Sequence, residues 1–471
     1  MAGRSIRILL NGELCEIRGV PPATTVLDWL RTEKRLTGTK EGCAEGDCGA
    51  CTVVLGIPDG AGLRHEAVNS CLITVPQLAG RALVTVEGLA ANGRLHPVQQ
   101  AMVEADASQC GFCTPGIAMA LYAFLEGGEE PQDETIHDAL AGNLCRCTGY
   151  RPIVDAARKA ERTPATLPAA PVPEAEPDYE AGAQTFFAPR TLDELLALRA
   201  EYPDAPILAG GTDLGLLFSK ERRAFDAIVS VARVEELCRL EVRADEIEIG
   251  AAVTYTQALP VLDAEYPGMG ELIRRIGSRQ IRNLGTIGGN IGNASPIGDT
   301  LPCLIALDAR LMLRGVDGAR EMPLEDFFID YRRTDLRPGE VIEAVRVPRL
   351  ASDEIFRTYK VSKRYDQDIS AVIGAYRLTV GDGRVTDARI AYGGMAATPK
   401  RARGAERALI GAAWSESSVA AARRAIADDF EPIDDFRAGA GYRATVAANL
   451  LDRLYLETAG GTDAPTGVFA L

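Results

Sequence analysis

Basic residues are the minority charge in this 471-residue chain, where 51 Lys and Arg stand against 66 Asp and Glu for a net charge of −15. Nucleic acid and anionic membrane surfaces are therefore not expected partners, because both require a basic patch. Long apolar runs are also lacking, since none approaches the roughly 18 residues of a membrane span. The N-terminus has no apolar core and no cleavage site of a signal peptide. These absences predict a cytoplasmic protein that binds neither a membrane nor nucleic acid.

Histidine is scarce, with His65, His96 and His137 as its three positions. No Ser–His–Asp set is indicated, so no side chain is predicted to be catalytic by itself. Cysteine is abundant by contrast, with eleven residues. Without an export signal, clustered cysteines indicate metal binding rather than disulfides. Eight lie in two groups, and we expect Cys15, Cys238 and Cys303 outside them to be small buried core residues.

The first cysteine group has the spacing Cys43-x4-Cys48-x2-Cys51, with Cys71 further along. This is the plant-type ferredoxin arrangement for a [2Fe–2S] cluster, which needs four thiolates, two for each iron. Glycines at 42, 46 and 49 would allow the sharp turns and close backbone approach of such a loop. Backbone N–H groups of the loop can also donate to the sulfurs. Zinc fits this spacing poorly, because zinc cysteines usually come in separated pairs.

The second group has two close pairs, Cys110-x2-Cys113 and Cys145-x1-Cys147. By spacing, these pairs are compatible with an iron–sulfur cluster or with zinc. Both pairs lead into predicted helix starts, at Pro115 and at Tyr150-Arg151. Helix N-termini stabilise the negative charge of a thiolate-ligated cluster, which favours the cluster hypothesis.

Composition divides the chain into five parts. Residues 1–90 alternate like a small sheet, with a hairpin turn at Asn11-Gly12. Residues 91–162 have helical spacing, and residues 163–178 form a Pro/Ala linker. Residues 179–348 and 352–460 are mixed α/β, separated near Pro348.

Two glycine segments occur in the first of these mixed parts. Ile207–Gly215 is an apolar strand that ends in a glycine turn, and Arg282–Pro296 contains Gly285, Gly288, Gly289 and Gly292. Neither matches the G-x-G-x-x-G fingerprint, so a Rossmann site is not indicated. Such glycines still let backbone N–H groups approach a pyrophosphate. Either segment alone would more often be a plain turn, whereas two within one domain favour a nucleotide cofactor.

The segments Gln109–Gly116 and Asn143–Arg151 resemble the second iron–sulfur domain of the molybdenum hydroxylase family, in which a plant-type ferredoxin domain also comes first. The resemblance implies a four-helix domain whose cluster lies nearest the molybdopterin of the enzyme. It also implies that Gln109 contacts the pterin. The alternative is that Gln109 only caps a loop.

The glycine segments resemble the vanillyl-alcohol-oxidase-type FAD domain of the same family. The resemblance implies that the first loop binds the FAD pyrophosphate and that the second runs alongside the flavin. It places Tyr331 near the NAD site and the loop 363–369 beside the flavin ring, although Lys363 and Arg364 could equally be a solvated patch. Ile276 stands where relatives often have an aromatic residue. The implied FAD contacts are Leu208, Ala209, Gly210, Gly211, Thr212, Asp213, Leu214, Gly215, Thr286, Ile287, Gly288, Gly289, Asn290, Asp299, Ile342 and Lys360.

The order of the parts is similar to that of bacterial small subunits in the xanthine-oxidising branch of this family. The implied fold is multidomain α+β: a β-grasp ferredoxin domain, a four-helix [2Fe–2S] domain, the FAD domain and a C-terminal α/β domain like that of CO dehydrogenase flavoprotein. The implied function passes electrons from molybdopterin on a large partner subunit, through both clusters and FAD, to NAD. A heterotetramer of two small and two large chains is expected. A different substrate, such as an aldehyde or another N-heterocycle, and a non-catalytic iron–sulfur carrier remain alternatives.

Overall fold

The computed structural model describes residues 5–60, 62–161, 171–176 and 178–459. They form two compact units, residues 1–235 with 277–285, and residues 236–276 with 286–471. None of the helices in the described ranges is long and apolar enough to cross a membrane. Most of the predicted linker, residues 163–170 and 177, lies outside the described residues. Its described residues 171–176 contain no helix or strand, and its last residue, Asp178, already begins a strand.

The first unit begins with a five-stranded sheet that one helix covers. The Asn11-Gly12 turn joins the first two strands with positive φ at both residues, as the hairpin signal predicted. The strand order is β2-β1-β5-β3-β4, and β1 pairs in parallel with β5. Trp29 and Leu30 of the helix pack into the core beneath the sheet. This is the predicted β-grasp fold, with elements β1 Ser5–Leu10, β2 Glu13–Arg18, α1 Val26–Thr32, β3 Thr52–Asp59, β4 Gly62–Asn69 and β5 Ala82–Val84.

Four helices follow, as the sequence predicted, and share one apolar core. Their bounds are α2 Pro97–Glu104, α3 Thr114–Glu126, α4 Asp133–Leu140 and α5 Arg151–Lys159. Helix α3 is buried along nearly its whole length. Its N-cap is Cys113, and Thr114 is the first helical residue, one position earlier than the sequence predicted. The Thr114 hydroxyl instead shares a hydrogen bond of 2.7 Å with Ser108.

The rest of the first unit is a small sheet of order β6-β7-β9-β8 with two helices. Tyr179 joins this sheet to the β-grasp domain, because its buried hydroxyl donates to the Val20 carbonyl at 2.8 Å and accepts from the Val20 N–H at 2.9 Å. The elements are β6 Asp178–Ala181, β7 Gln184–Phe187, α6 Leu192–Glu201, β8 Ile207–Leu208, α7 Gly215–Ser219 and β9 Ala227–Ser230.

The described part of the second unit contains three further sheets, of which one is the two-stranded pair β14-β15. An antiparallel sheet of order β10-β11-β16-β12-β13 packs against helices in one large core. Helix α10 lies in the segment 277–285, which belongs to the first unit. The elements are β10 Leu240–Val242, β11 Glu246–Gly250, α8 Tyr255–Glu265, α9 Pro267–Arg274, α10 Arg279–Arg282, α11 Ile287–Asn293, α12 Thr300–Ala306, β12 Arg310–Gly315, β13 Gly318–Pro323, α13 Leu324–Phe327, β14 Phe328–Asp330, β15 Arg333–Thr334 and β16 Val341–Pro348.

The C-terminal sheet has the order β17-β18-β19-β20 and is covered by three helices that share its core. Its elements are β17 Glu354–Val361, β18 Val372–Gly381, β19 Arg384–Gly393, β20 Lys400–Arg401, α14 Arg403–Leu409, α15 Glu416–Asp429 and α16 Ala440–Thr458. Arg443 of α16 is buried, and its guanidinium donates to the carbonyls of Ala371 and Gly394 and pairs with Asp435 at 2.8 Å. This one side chain therefore fixes α16 to the ends of β18 and β19.

The three cysteines outside the two groups differ in burial. Cys303 is fully buried, as predicted, and Cys15 is half-buried. The prediction of core packing is wrong for Cys238, which is exposed. Its position at the end of the short turn Glu235–Cys238 explains this, because the core residue of that turn is the neighbouring Leu237.

We expect Arg443→Leu to lower the free energy of opening of β18 and β19 by about 3 kcal/mol, because two buried carbonyls would lose their charged donor. Amide hydrogen exchange in these strands measures this opening. Arg437→Leu is the matched control, since the Arg437 guanidinium only covers the exposed ring of Phe436. An equal effect of both substitutions would contradict the role given to Arg443.

Candidate functional site

The first cysteine group lies on the loop between α1 and β3, with Cys71 just after β4. The sulfurs of Cys51 and Cys71 are 3.4 Å apart and buried. Cys43 and Cys48 form a second pair, in which the N–H of each residue donates to the sulfur of the other at 3.3 Å. A tetrahedral metal with bonds of about 2.3 Å to sulfur holds two of its sulfurs roughly 3.7 Å apart. Two adjacent thiol pairs are what the two irons of a [2Fe–2S] cluster require.

Glycine shapes this loop in the way that the sequence predicted. A Cβ on Gly42 would lie 2.7 Å from the Cys48 sulfur, and Gly46 and Gly49 have φ of +79° and +68°. The Glu45 N–H donates to the Cys43 sulfur at 3.4 Å. The Cys48 side chain and these backbone donors lower the pKa of Cys43 to about 5, against the opposing effect of burial. The loop therefore stabilises a thiolate, which is the form that binds metal.

The second cysteine group also divides into two pairs, Cys110 with Cys147 and Cys113 with Cys145, in which each side chain shifts the pKa of the other. Burial opposes ionisation of Cys145, but hydrogen bonds from Thr148 and from the backbone outweigh it and lower its pKa. Cys113 is the N-cap of α3, and Tyr150 precedes α5 with φ of +67°. Within the described residues, no three His, Cys, Asp or Glu side chains gather for a single metal ion.

The two groups differ in exposure. Cys51 and Cys71 are buried, whereas Cys110 and Cys147 are exposed at the surface. Large apolar side chains are exposed next to them, with Phe112 at 49% and Leu144 at 45%. Gln109, the predicted pterin contact, is also exposed. The second group therefore lies on an accessible, partly apolar surface.

The first glycine loop, residues 209–214, follows β8 in the first unit. In the part of the chain that the structure describes, none of its six backbone N–H groups donates a hydrogen bond to the protein. Gly210 packs tightly, because a Cβ there would lie 1.6 Å from the Leu284 carbonyl oxygen. Gly211 has φ of +82°. Unpaired N–H groups on a glycine turn fit the phosphate oxygens of a dinucleotide.

This loop also touches the first cysteine group. A Cβ on Gly211 would lie 3.0 Å from the carbonyl oxygen of Leu72, the residue after Cys71, and one on Gly215, directly after the loop, would lie 2.4 Å from the same oxygen. Lys220, at the end of α7, donates to the Cys43 carbonyl at 2.9 Å and lies 3.6 Å from Glu45. The sequence pattern did not indicate Lys220, because the contact joins residues 177 positions apart.

The second glycine segment has a different structure in its larger part, from Thr286 onward, which belongs to the second unit. Its N–H groups are satisfied by the protein: Ile287 donates to Val253, Gly288 donates to Ala251, and Gly289 donates to the Thr286 hydroxyl. Gly288 is required for packing, since a Cβ there would lie 2.4 Å from that of Ala251. The expectation that these amides approach a pyrophosphate is therefore not supported, because the backbone already uses them.

Asp299 and Lys360, two further predicted flavin contacts, form an ion pair with each other. Lys360 is buried and also donates to the Arg275 carbonyl at 3.2 Å, while Ser370 donates to Asp299 at 2.8 Å. Ser370 was not indicated by the sequence. The side-chain amide oxygen of Asn290 accepts from the Thr300 hydroxyl at 2.7 Å. A buried, paired lysine and carboxylate provide fixed charges at this position.

The remaining predicted residues lie at the surface or at the edge of the core. Tyr331 is 61% exposed in the turn between β14 and β15. Lys363 and Arg364 are exposed, and Lys363 donates to the Phe436 carbonyl at 3.0 Å. Ile342 and Ile276 are half-buried against the core of the second unit.

A cavity of about 570 Å³ opens in the second unit between α9, β17 and α16. Lys360 lines it together with Arg275, Arg357, Tyr359 and Arg453. The glycine segment of the same unit does not line it, so this cavity is separate from the predicted flavin contacts on α11.

Comparison with known proteins identifies four domains along the chain. Residues 8–76 match a 2Fe–2S iron–sulfur cluster binding domain, and residues 85–158 match a [2Fe–2S] binding domain. Residues 180–350 match the FAD binding domain in molybdopterin dehydrogenase. Residues 357–458 match the CO dehydrogenase flavoprotein C-terminal domain.

The relatives that match nearly the whole chain include enzymes named for different substrates. The chain is 32% identical to xanthine dehydrogenase of Emericella nidulans over 96% of its length, and 32% identical to aldehyde oxidase 2 of Cavia porcellus over 95%. It spans 38% and 39% of the lengths of these two relatives.

A solved structure of carbon monoxide dehydrogenase from Hydrogenophaga pseudoflava, which lacks the Mo-pyranopterin moiety of the molybdenum cofactor, is 30% identical with a TM-score of 0.54. The match covers 57% of this chain and 94% of the other. The chain thus belongs to the molybdenum hydroxylase family of oxidoreductases, as an electron-transfer member with two [2Fe–2S] domains, an FAD-binding domain and a flavoprotein C-terminal domain.

Proposed function

We propose that this chain is the electron-transfer and NAD-reducing subunit of a xanthine dehydrogenase, which oxidises hypoxanthine to xanthine and xanthine to urate. One observation carries the proposal: the second cysteine group, the first cysteine group and the open glycine loop adjoin one another in that order. The Leu144 N–H, next to Cys145, donates to the Cys48 carbonyl at 3.0 Å. Leu72, next to Cys71, touches Gly215. The first contact joins the two proposed cluster sites, and the second joins the first cluster site to the proposed FAD loop.

The eight cysteines of the two groups are the proposed cluster ligands. Residues 208–215 of the first unit are the proposed site of the FAD pyrophosphate. Thr286–Asn290, Asp299, Ile342 and Lys360 of the second unit are proposed FAD contacts on the family resemblance alone. When bound, the clusters pass single electrons and FAD couples them to hydride transfer to NAD. Tyr331 contacts NAD. The chain's own residues position these groups and stabilise thiolate and phosphate charge.

The proposed partner is a large subunit that carries molybdopterin. Exposed Cys110 and Cys147, with Phe112 and Leu144 beside them, support docking at the second cluster. Gln109 on the same surface would contact the pterin. We propose two small and two large chains in the complex.

A second candidate is a subunit of the same architecture in an enzyme that oxidises aldehydes or other N-heterocycles. It is favoured by the relative named aldehyde oxidase, which is as similar to this chain as the one named xanthine dehydrogenase. The complex purified with its large partner decides between the candidates. Xanthine-dependent NAD reduction supports the first, and turnover of aldehydes alone supports the second. A spectrum without a flavin band would contradict both and favour a simple iron–sulfur carrier.

The ligand assignment predicts that Cys113→Ser removes one of two [2Fe–2S] EPR signals and abolishes xanthine-dependent NAD reduction. NADH-driven reduction of an artificial acceptor through FAD should survive, because that route does not need the second cluster. Cys15→Ser, on strand β2, is the control and should keep both signals. Persistence of both signals in Cys113→Ser would show that the ligand set is wrong.

Gly210→Ala should lower bound FAD to a small fraction of the wild-type content, because the added methyl group would displace the loop from Leu284. Flavin absorbance measured against iron content tests this, and both EPR signals should remain. Gly441→Ala is a matched control, since a Cβ there meets nothing within 4 Å. Full flavin content in Gly210→Ala would exclude this loop as the pyrophosphate site.

A further inference from the structure

A buried polar junction joins the two cluster loops. The Asn143 side chain, two residues before Cys145, donates to the Gly49 carbonyl at 3.0 Å and to the Thr52 hydroxyl at 3.2 Å. The Gln280 amide donates to the Asn143 side-chain oxygen at 2.8 Å and to the Thr52 hydroxyl at 3.3 Å. Gln280, Asn143 and Thr52 are at most 2% exposed. Gln280 comes from α10, which belongs to neither cluster loop.

The junction leaves no space for the loops to shift. A Cβ on Gly49 would lie 2.1 Å from the Gly142 carbonyl oxygen, and one on Gly116 would lie 2.3 Å from the Gly49 carbonyl oxygen. A Cβ on Gly142 would lie 2.1 Å from the Gln280 side-chain oxygen. The backbones of the two cluster loops and of α3 are thus in van der Waals contact with one another. The Gln280 side chain packs against Gly142 of the second loop.

Helix α10 is itself fixed to the helical cluster domain. Arg279 donates to Asp138 at 3.0 Å and to Glu129 at 3.1 Å, and Arg282 also pairs with Asp138. The side chains of Arg279 and Asp138 are 20% and 28% exposed, so solvent screens these ion pairs less than it screens ordinary surface pairs. Gln280 is therefore presented to the junction on a segment that cannot easily move.

We propose that Gln280 is a positioning residue that, through Asn143 and Thr52, sets the separation of the two clusters and so the rate of electron transfer between them. The proposal rests on the cluster assignment made above. Its physical basis is that buried, hydrogen-bonded amides fix the relative position of the two cluster loops. An apolar side chain of the same size would leave the loops held by packing alone. A small misplacement of reacting groups changes rates strongly.

The test uses Gln280→Met in the complex with the large subunit. Both EPR signals should remain, while the magnetic coupling between the reduced clusters weakens and electron equilibration between them slows on the order of tenfold. Freeze-quench EPR measures both quantities. Tyr179→Phe is the matched control, because it removes an equally buried contact between domains, the hydrogen bonds of 2.8 and 2.9 Å with Val20, which lies outside both cluster loops. It should keep the wild-type coupling and rate.

Gln280→Met with wild-type coupling and rate would overturn the proposal and leave Gln280 a purely structural residue. If Gln280→Met loses a cluster by misfolding, Thr52→Val, which removes the shared hydroxyl, decides the question. Slower transfer in that variant supports the proposal, and an unchanged rate overturns it. Failure of the cluster assignment is distinguishable, because the wild-type complex would then lack one or both cluster signals. Failure of the proposed substrate or acceptor is also distinguishable, because it leaves both signals in the wild-type complex and appears only as absent xanthine-dependent NAD reduction.

Discussion

The contact between the backbones of the two cluster loops is the constraint on which the rest of the first unit depends. The Leu144 N–H binds the Cys48 carbonyl, and glycines at 49, 116 and 142 allow this approach because they have no Cβ. A side chain at these positions would overlap with neighbouring backbone or side-chain atoms. The ferredoxin-type and four-helix domains are thus joined at the loops that carry their cysteines, rather than through a flexible connection.

The two cysteine groups use similar chemistry in different environments. Each forms two thiol pairs, and each has hydrogen bonds that stabilise thiolate sulfur. The first group is partly buried behind the glycine loop that follows β8, whereas the second lies beside exposed Phe112 and Leu144. Burial and hydrogen bonding both influence the reduction potential of a cluster, so we expect the two sites to differ in reduction potential. The difference in exposure supports the proposed direction of electron flow, from the surface toward the flavin.

The FAD-binding domain contributes more than a cofactor site. Its matched range, 180–350, includes the segment 277–285, which belongs to the first compact unit. That segment places Gln280 against the cluster loops and Arg279 against the helical domain. The domain also provides two glycine segments that differ in their capacity to bind phosphate. The N–H groups of the first are unpaired in the described structure, whereas those of the second donate to other protein groups. The first segment is therefore the one that we propose for phosphate recognition.

The sequence by itself determined the elements and residue types whose signals are local. Cysteine spacing, the Asn11-Gly12 turn and the helical periodicity of residues 91–162 each depend on neighbours a few positions apart. They predicted a cluster loop, a small sheet and a helical part, while the β-grasp and four-helix folds were implied by the family resemblance. The glycines around Cys48 followed from the same local requirement for sharp turns. Tertiary structure decided which thiols pair, which glycine segment keeps free amides and which residues join the cluster loops. Gln280 meets Asn143 across 137 positions and Lys220 meets Cys43 across 177, and no periodic pattern encodes such contacts. They arise only when separate cores pack together, because the energy of a buried hydrogen bond depends on the partner that packing brings to it.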